Sequence, residues 1–412
     1  MITQIRIDGF KSFVGFELDV HPVTVLLGVN GAGKSNLFDA LRLVAGTLRQ
    51  GLGETLAGDR RLAARDLFHR GGQGPLRDEL TITVGALLET PVGPVPARAR
   101  LVLDRGSGHR QPGLDRDSRI WVSNLERTDW MDRLGLTTEQ RRSVADARTA
   151  FLATGESAEV PMDPRHERSR ASELHHLFAL DAVSWAPYAL EPGALRELGR
   201  PEDDGALRPN GRNLAVVLDR IRAEAPERFT RLVADLAAIV PGVRDIRTEV
   251  IRTRGEFDFE VEFQHTGWVS PASLSDGTLR ALALLATSWD VGGGGTLLVE
   301  EVENGMHLAQ VADLVRRLGQ DAGLTTGEPL RRTRQLIVTT HSPALLGALR
   351  HDLSGSLVFL EQANLVDPER SAVSRVTRAR PLRPRGTSAE PGDTVSPQAV
   401  ARLLRSLGQE VR

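Results

Sequence analysis

The stretch GVNGAGKSN, residues 28–36, constrains this chain more than any other. It fits the pattern G-x-x-x-x-G-K-[ST] in full, ending on Lys34 and Ser35. An apolar run at 23–27 precedes it, and Leu37, Leu41 and Val44 follow at helical spacing. The segment therefore predicts strand, glycine-rich turn and helix, a unit of an α/β protein. Gly28, Gly31 and Gly33 allow a tight turn and a close approach of backbone to a ligand. Amides in such a turn, at the start of a helix, suit phosphate groups. The candidate contacts are Gly28, Asn30, Gly31, Ala32, Gly33, Lys34, Ser35 and Asn36. Lys34 would reach the β and γ phosphates of a nucleotide, and Ser35 would place its hydroxyl on Mg²⁺.

A second stretch, LLVEEVENGMH at 297–307, ends a predicted strand on two acids. Carboxylates at a strand end are costly to bury without a partner. A cation and a reacting water would supply partners: Glu300 would hold Mg²⁺, directly or through water, and Glu301 would orient the attacking water. Phosphoryl transfer needs this charge stabilisation and positioning more than covalent chemistry. A third stretch, RQLIVTTHSPALL, predicts a strand at 336–340 ending at His341, which would contact a γ-phosphate. Ser342 and Pro343 suit the start of a following helix. Between these sites, PASLSDGTLRALALLAT carries Ser275 as a helix cap, with Gly277 leaving room for a ligand.

The ordered set of motifs resembles the ABC-type ATPases of the SMC and RecF kind. It is more similar still to the bacterial AAA-type ATPases grouped with the overcoming-lysogenization-defect nucleases. The likeness covers residues 1 to about 90 and about 210 to 361. The opening ITQIRIDGFKSFVGFELDV, with Phe10, Lys11 and Phe13, looks like that family's first strands. LSDGTLR looks like its signature, EEVENGMH like its acidic strand end and D-loop, and THSP like its switch histidine.

The resemblance implies a P-loop NTPase fold: a head with a mixed-sheet core, an antiparallel N-terminal sheet and a helical insertion lobe. It implies Mg²⁺-dependent ATP hydrolysis, with ATP and Mg as cofactors and Lys34, Glu301 and His341 as catalytic groups. It also implies that Ser275 and Gly277 of one head complete the site of another, so that a homodimer carries two composite sites. Two departures stand out. The family's metal-side acid is usually aspartate where this chain has Glu300, and Val302 replaces a frequent proline. The Q-loop glutamine has no firm place: Gln73, Asp66 and His69 all lie in the relevant region.

Composition narrows the setting. Hydrophobic residues make up 40% and charged ones 26%, the formal charge is -2, and cysteine is absent. Bulk charge therefore gives no argument for nucleic acid, and thiolate catalysis, disulfides and cysteine metal sites are excluded. No apolar run is long enough to span a bilayer, and the N-terminus lacks a signal-peptide core. The expected setting is cytoplasmic, without membrane insertion.

The expected layout is an N-terminal half-head at 1–103, a mostly helical insertion at 104–245, a C-terminal half-head at 246–361, and a basic tail with a short helix at 362–412. The segments ELTITVGALLE and ARARLVLD read as strands. EQRRSVADARTAFLAT and SRASELHHLFAL read as helices, with His175 and His176 structural. NLAVVLDRIRAEAPERFTRLVADLAAIV reads as a helical pair broken at Pro226, without sustained heptads. In the tail, Arg375, Arg378, Arg380, Arg383 and Arg385 form a basic patch on an exposed segment. Nucleic acid, solvent and an acidic protein are all compatible occupants of that patch. The tail is too short for a nuclease domain, so any nuclease or effector would be a partner protein. Two other readings stay open: an ATP-gated assembly protein with negligible turnover, and the ATP-binding subunit of a membrane transporter.

Overall fold

The strand expected ahead of the glycine loop lies at the centre of a five-stranded sheet. The structure is a computed structural model. It describes residues 1–71, 74–105, 119–124, 137–153, 160–162, 173–251, 253–290, 295–320, 322, 334–342, 345, 348–349, 356–368, 372–382, 396, 399 and 402. Strands β1 (Ile2–Asp8), β2 (Phe16–Asp19) and β3 (Val23–Leu27) lead into helices α1 (Lys34–Gln50) and α2 (Leu52–Gly58). Two short strands, β4 (Arg70–Gly71) and β5 (Gly74–Pro75), precede the long pair β6 (Glu79–Thr90) and β7 (Gly93–Asp104). Then come β8 (Arg119–Asn124), α3 (Thr138–Ala153), β9 (Val160–Met162), α4 (Glu173–Asp181) and the short α5 (Pro192–Leu195).

Helices α6 (Leu214–Glu224) and α7 (Pro226–Ile239) form the predicted pair, with Pro226 at the first position of the second. A meander of β10 (Val243–Ile251), β11 (Glu256–Phe263) and β12 (Gly267–Val269) follows. Last are α8 (Asp276–Trp289), β13 (Gly295–Val299), α9 (Leu308–Gln320), β14 (Arg334–Thr340), β15 (Leu357–Asp367) and β16 (Ala372–Pro381).

The fold is a mixed α/β architecture with antiparallel and mixed sheets and helical insertions. The central sheet runs β13-β14-β3-β15-β16. Its first four strands are parallel, and β16 returns antiparallel to β15. Side chains alternate across it, as strand geometry requires. Val23, Val25, Leu27, Leu336, Val338, Leu357 and Phe359 join one core with α6, α7, α8 and α9. Leu26, Leu298, Ile337, Val358 and Leu360 join the other, with α1 and the antiparallel sheet β2-β1-β6-β7-β8-β9. A sheet buried on both faces reads as a continuous apolar run, which explains VTVLL and TLLV.

Gln335 ties the two sheets together. It is 2% exposed, accepts from the Ile2 amide at 2.8 Å and the Thr296 hydroxyl at 2.9 Å, and donates to the Ile2 and His21 carbonyls at 2.6 and 3.1 Å.

One expectation needs correction. The basic segment after 361 is not simply a tail: residues 372–381 form β16, paired with β15 from Val358↔Pro381 to Asp367↔Ala372. Its arginines alternate with buried Ser374 and Val376, so the charged face hid a strand. The insertion is mostly helical among the described residues, as expected, and its two short strands β8 and β9 extend the antiparallel sheet. Helix α3 lies over it through Ala147 and Phe151. His175 is buried, with its ring nitrogen 3.3 Å from the Leu48 carbonyl. The short helix expected near 398–408 falls almost wholly outside the described residues. Among the described residues, no helix is long and apolar enough to cross a membrane.

Candidate functional site

Three strand ends meet at one edge. In the register of the parallel strands, Val299 faces Val338 and Thr340 faces Leu27. The residues that follow β13, β14 and β3 therefore emerge together: Glu300 and Glu301, His341, and Gly28. Hydrogen bonds stitch these ends. The Gly28 amide donates to the Thr340 carbonyl at 3.3 Å, the Val302 amide to the Thr339 carbonyl at 3.1 Å, and the Glu301 amide to the Thr339 hydroxyl at 2.9 Å. The carboxyl edge of a parallel sheet is where α/β folds bind ligands.

The glycine loop has the backbone expected of it. Gly31 and Gly33 take φ of 81° and 98°, conformations that side chains resist. Ala32, at 0% exposure, donates from its amide to the Val29 carbonyl at 3.1 Å. Lys34 is buried at the start of α1 and folds back on the loop, donating to the Gly28 and Val29 carbonyls at 2.5 and 3.0 Å. Burial pulls the Lys34 ammonium below its ordinary pKa, and the Glu301 and Glu303 carboxylates oppose that shift. Ser35 and Asn30 are exposed on the open side of the loop. Asn36 donates to the Ser12 hydroxyl at 2.9 Å.

The acids divide their contacts. Glu300 donates its amide to the Tyr188 carbonyl at 3.3 Å, and its carboxylate lies 4.0 Å from the Arg61 guanidinium. Burial raises its pKa, while Arg61 and Arg42 pull the other way. Glu301 sits at φ 47°, an unusual value for a side-chain-bearing residue, and accepts from the Asn304 amide group at 2.8 Å. Strain of this kind marks a position fixed by its surroundings. Glu303 accepts from the Thr340 hydroxyl at 2.8 Å and the His341 amide at 2.7 Å, and pairs with the His341 ring at 3.0 Å. His341 is thus held by the acidic loop. Pro343, expected to open the next helix, lies outside the described residues.

Ser275 caps α8, as the sequence suggests: its hydroxyl accepts from the Thr278 amide at 3.2 Å. The space left by Gly277 is filled within this chain. A methyl group there would run into the Gly305 carbonyl oxygen, and Met306 Cγ would stand at 3.1 Å. The start of α8 and the acidic loop are therefore packed together. Arg280, one turn on, is partly buried near Asp276 and Glu301, and its Nε has no hydrogen-bond partner.

Sequence reasoning missed a charged cluster beside Glu300. Asp39 is 1% exposed on α1. Lys11 donates to it at 2.6 Å, Arg61 lies 3.1 Å from it, and Arg42 pairs with it as well. The available signal was an aspartate in the middle of the apolar helix face LFDAL. Of the Q-loop candidates, His69 is spoken for by the Lys11 carbonyl at 2.7 Å and the Ser374 hydroxyl at 2.8 Å. Asp66 is exposed beside Arg65 and Arg70, and Gln73 lies outside the described residues.

Among the described residues, no group of three or more His, Asp or Glu side chains is placed to hold a metal alone. The donors expected from the sequence are the Ser35 hydroxyl and the Glu300 carboxylate. That sparse oxygen set fits Mg²⁺, which keeps several waters and takes one or two carboxylates plus phosphate oxygens.

Residues 23–347, from the central strand to just past His341, match the family model described as "AAA domain, putative AbiEii toxin, Type IV TA system". The chain belongs to this AAA-domain family. A curated relative of this AAA-domain protein, the chromosome partition protein Smc of Thauera aminoaromatica, is 30% identical over 263 residues, 60% of the chain. The match spans only 18% of that relative's length. Solved structures similar to it include an Smc head bound to the C-terminal winged-helix domain of ScpA. That structure is 14% identical, with TM-score 0.49, covering 91% of this chain and 97% of the other. An Smc head with coiled coil and joint from Pyrococcus yayanosii is 13% identical, with TM-score 0.49, covering 99% of each.

Proposed function

We propose that this AAA-domain chain hydrolyses ATP to ADP and phosphate in a Mg²⁺-dependent reaction, and that nucleotide drives two copies together. The observation that carries the reading is the meeting of the glycine loop, the paired acids and His341 at one carboxyl edge of β13, β14 and β3.

In this reading the loop amides and Lys34 bind the phosphates. Lys34 leaves the Gly28 and Val29 carbonyls and gives its charge to the ligand. Ser35 and Glu300 would hold Mg²⁺, which would supply charge to neutralise the phosphate oxygens. Asn304 orients the Glu301 carboxylate, which accepts a hydrogen bond from the attacking water and polarises it. His341 leaves Glu303 to contact the γ-phosphate. Ser275, at the start of α8, acts on a second copy, while Gly277 lets α8 pack on the acidic loop, so catalysis requires a homodimer. A nuclease or other effector protein, and DNA, are further partners in this reading. Work in DNA repair or antiviral defence rests on family analogy.

One observation favours slow turnover and an ATP-gated assembly role. Glu300 stands where the resembled family usually has aspartate, and its extra methylene moves the carboxylate outward by about a bond length.

Steady-state phosphate release with Mg²⁺-ATP, measured over a range of protein concentrations, tests the proposal. The rate per chain should rise with concentration and collapse by a factor of a hundred or more, a rough expectation, in Glu301→Gln. Wild type and variant equally inactive, with and without duplex DNA, would refute hydrolysis and leave assembly.

A further inference from the structure

The hairpin of β15 and β16, read from sequence as leading into an exposed tail, lies against the glycine loop. Gln362 donates to the Gly31 carbonyl at 2.6 Å. The Thr377 hydroxyl donates to the Ala32 carbonyl at 2.9 Å. Gln362 and Thr377 are direct cross-strand partners, so one face of the hairpin makes both bonds. Thr377 is 1% exposed, and its hydroxyl occupies the space where Gly33 lacks a side chain.

The bond direction of a short hydrogen-bond chain follows from its ends. Asn36 donates from its amide group to the Ser12 hydroxyl at 2.9 Å. The Ser12 and Thr377 hydroxyls lie 2.8 Å apart. A carbonyl only accepts, so the one proton of Thr377 goes to Ala32, and Ser12 donates to Thr377. The chain therefore runs Asn36 to Ser12 to Thr377 to Ala32. It leaves the first turn of α1 and returns to the loop through two distant segments. The Thr377 amide also donates to the Ser12 carbonyl at 2.7 Å, which fixes the relay in place.

This relay has a consequence for the loop's donors. In a trans peptide the C=O and N–H point in opposite directions. Pinning the Ala32 carbonyl outward on Thr377 turns the Gly33 N–H inward, to the side where the loop encloses a ligand. Pinning the Gly31 carbonyl on Gln362 likewise turns the Ala32 N–H to its bond with Val29. The floor of the site is thus set by residues more than 320 positions away in sequence.

We infer that Thr377, with Gln362 and Ser12 beside it, is a positioning residue that pre-aims the phosphate-binding amides of the glycine loop. The inference rests on the proposed nucleotide site. It gives the 357–381 hairpin a place in that site rather than in a tail. Orienting the amides before binding acts on substrate and transition state alike, so its loss raises KM more than it lowers kcat.

The test uses the full chain and titrates a fluorescent N-methylanthraniloyl ATP with Mg²⁺ into wild type, Thr377→Val, Thr377→Ser and Gln362→Met. Thr377→Val keeps the shape and removes the donor, and should raise Kd about tenfold. Thr377→Ser should restore it, and Gln362→Met should raise it severalfold. A residue that only stabilised the fold would lower the binding amplitude, the fraction of competent protein, and leave Kd and KM unchanged. That result, or variants with wild-type Kd beside a wild type that binds, overturns this inference alone. A wild type that binds no nucleotide overturns the proposed function with it.

Discussion

The packing of α8 on the acidic loop makes a prediction whose sign can be worked out beforehand. Gly277 is the second residue of α8, and Gly53 is the second residue of α2. In both places alanine is the better helix former and reduces the freedom of the unfolded chain, a gain of up to about 1 kcal/mol. The surroundings differ. Nothing lies within 4 Å of a methyl built on Gly53, whereas one on Gly277 strikes the Gly305 carbonyl oxygen, with its carbon at 3.3 Å. The obstacle is backbone, so no side chain can swing aside. Overpacking of this kind costs about 1–3 kcal/mol.

The net expectation is that Gly277→Ala loses about 1–2 kcal/mol while Gly53→Ala gains up to about 1 kcal/mol. At this chain length each kcal/mol moves Tm by only about 1 °C, so urea midpoints should be measured beside calorimetric Tm. Phosphate release adds a second readout, because pushing Gly305 disturbs the loop that carries the Asn304–Glu301 bond. A Gly277→Ala variant as stable as wild type, with normal turnover, would refute the claim that this glycine exists for the loop.

Asp39→Asn should destabilise the chain by about 3 kcal/mol in urea unfolding, since it leaves Lys11, Arg42 and Arg61 facing one another. A loss below about 0.5 kcal/mol would show the cluster to be ornamental to stability. Gln335→Leu should cost a similar amount, about 3 kcal/mol, because it strands the Ile2 amide and carbonyl and the Thr296 hydroxyl in the core. Unchanged stability would contradict the role of Gln335 in joining the two sheets. Burial raises the Glu300 pKa above its ordinary 4.5. A carboxyl raised in the folded state favours folding when protonated, and that contribution is lost as pH climbs from the ordinary value through the raised one. Glu300→Gln should therefore raise the Tm of the nucleotide-free protein at neutral pH, with the gain vanishing as pH falls below 4.5. A gain that grows in acid would reverse the assignment.

What the sequence disclosed was what is locally encoded. The glycine loop, the cap at Ser275 and the strands ending at Glu300 and His341 each announce themselves within about a dozen residues, through turn chemistry and periodicity. The partners of those elements were not legible. Nothing near Gly277 in sequence points to Gly305, and nothing near Ala32 points to Thr377. Asp39 looked like an ordinary polar residue on a helix, because its three cations arrive from two other segments and from the next turn. The β16 strand was hidden by its own arginines: exposed Arg375 and Arg378 set the composition, while the buried Ser374, Val376 and Thr377 between them carry the packing. Strands β8 and β9 are short pieces at the edge of the antiparallel sheet, β8 paired with the preceding β7 and β9 with β8.

The position of β3 bears on how this molecule comes into being. Its neighbours in the sheet are β14 and β15, which lie more than 300 residues further along. No earlier strand pairs with it. On a ribosome, VTVLL and the glycine loop emerge first and then wait as an open apolar edge until residues 334–367 are made. Long-range parallel pairing of this sort forms slowly and exposes sticky intermediates. The glycine loop, the first of the site's motifs to be synthesised, is thus among the last to be finished. A chain interrupted before residue 357 would carry the motif in its sequence without the site.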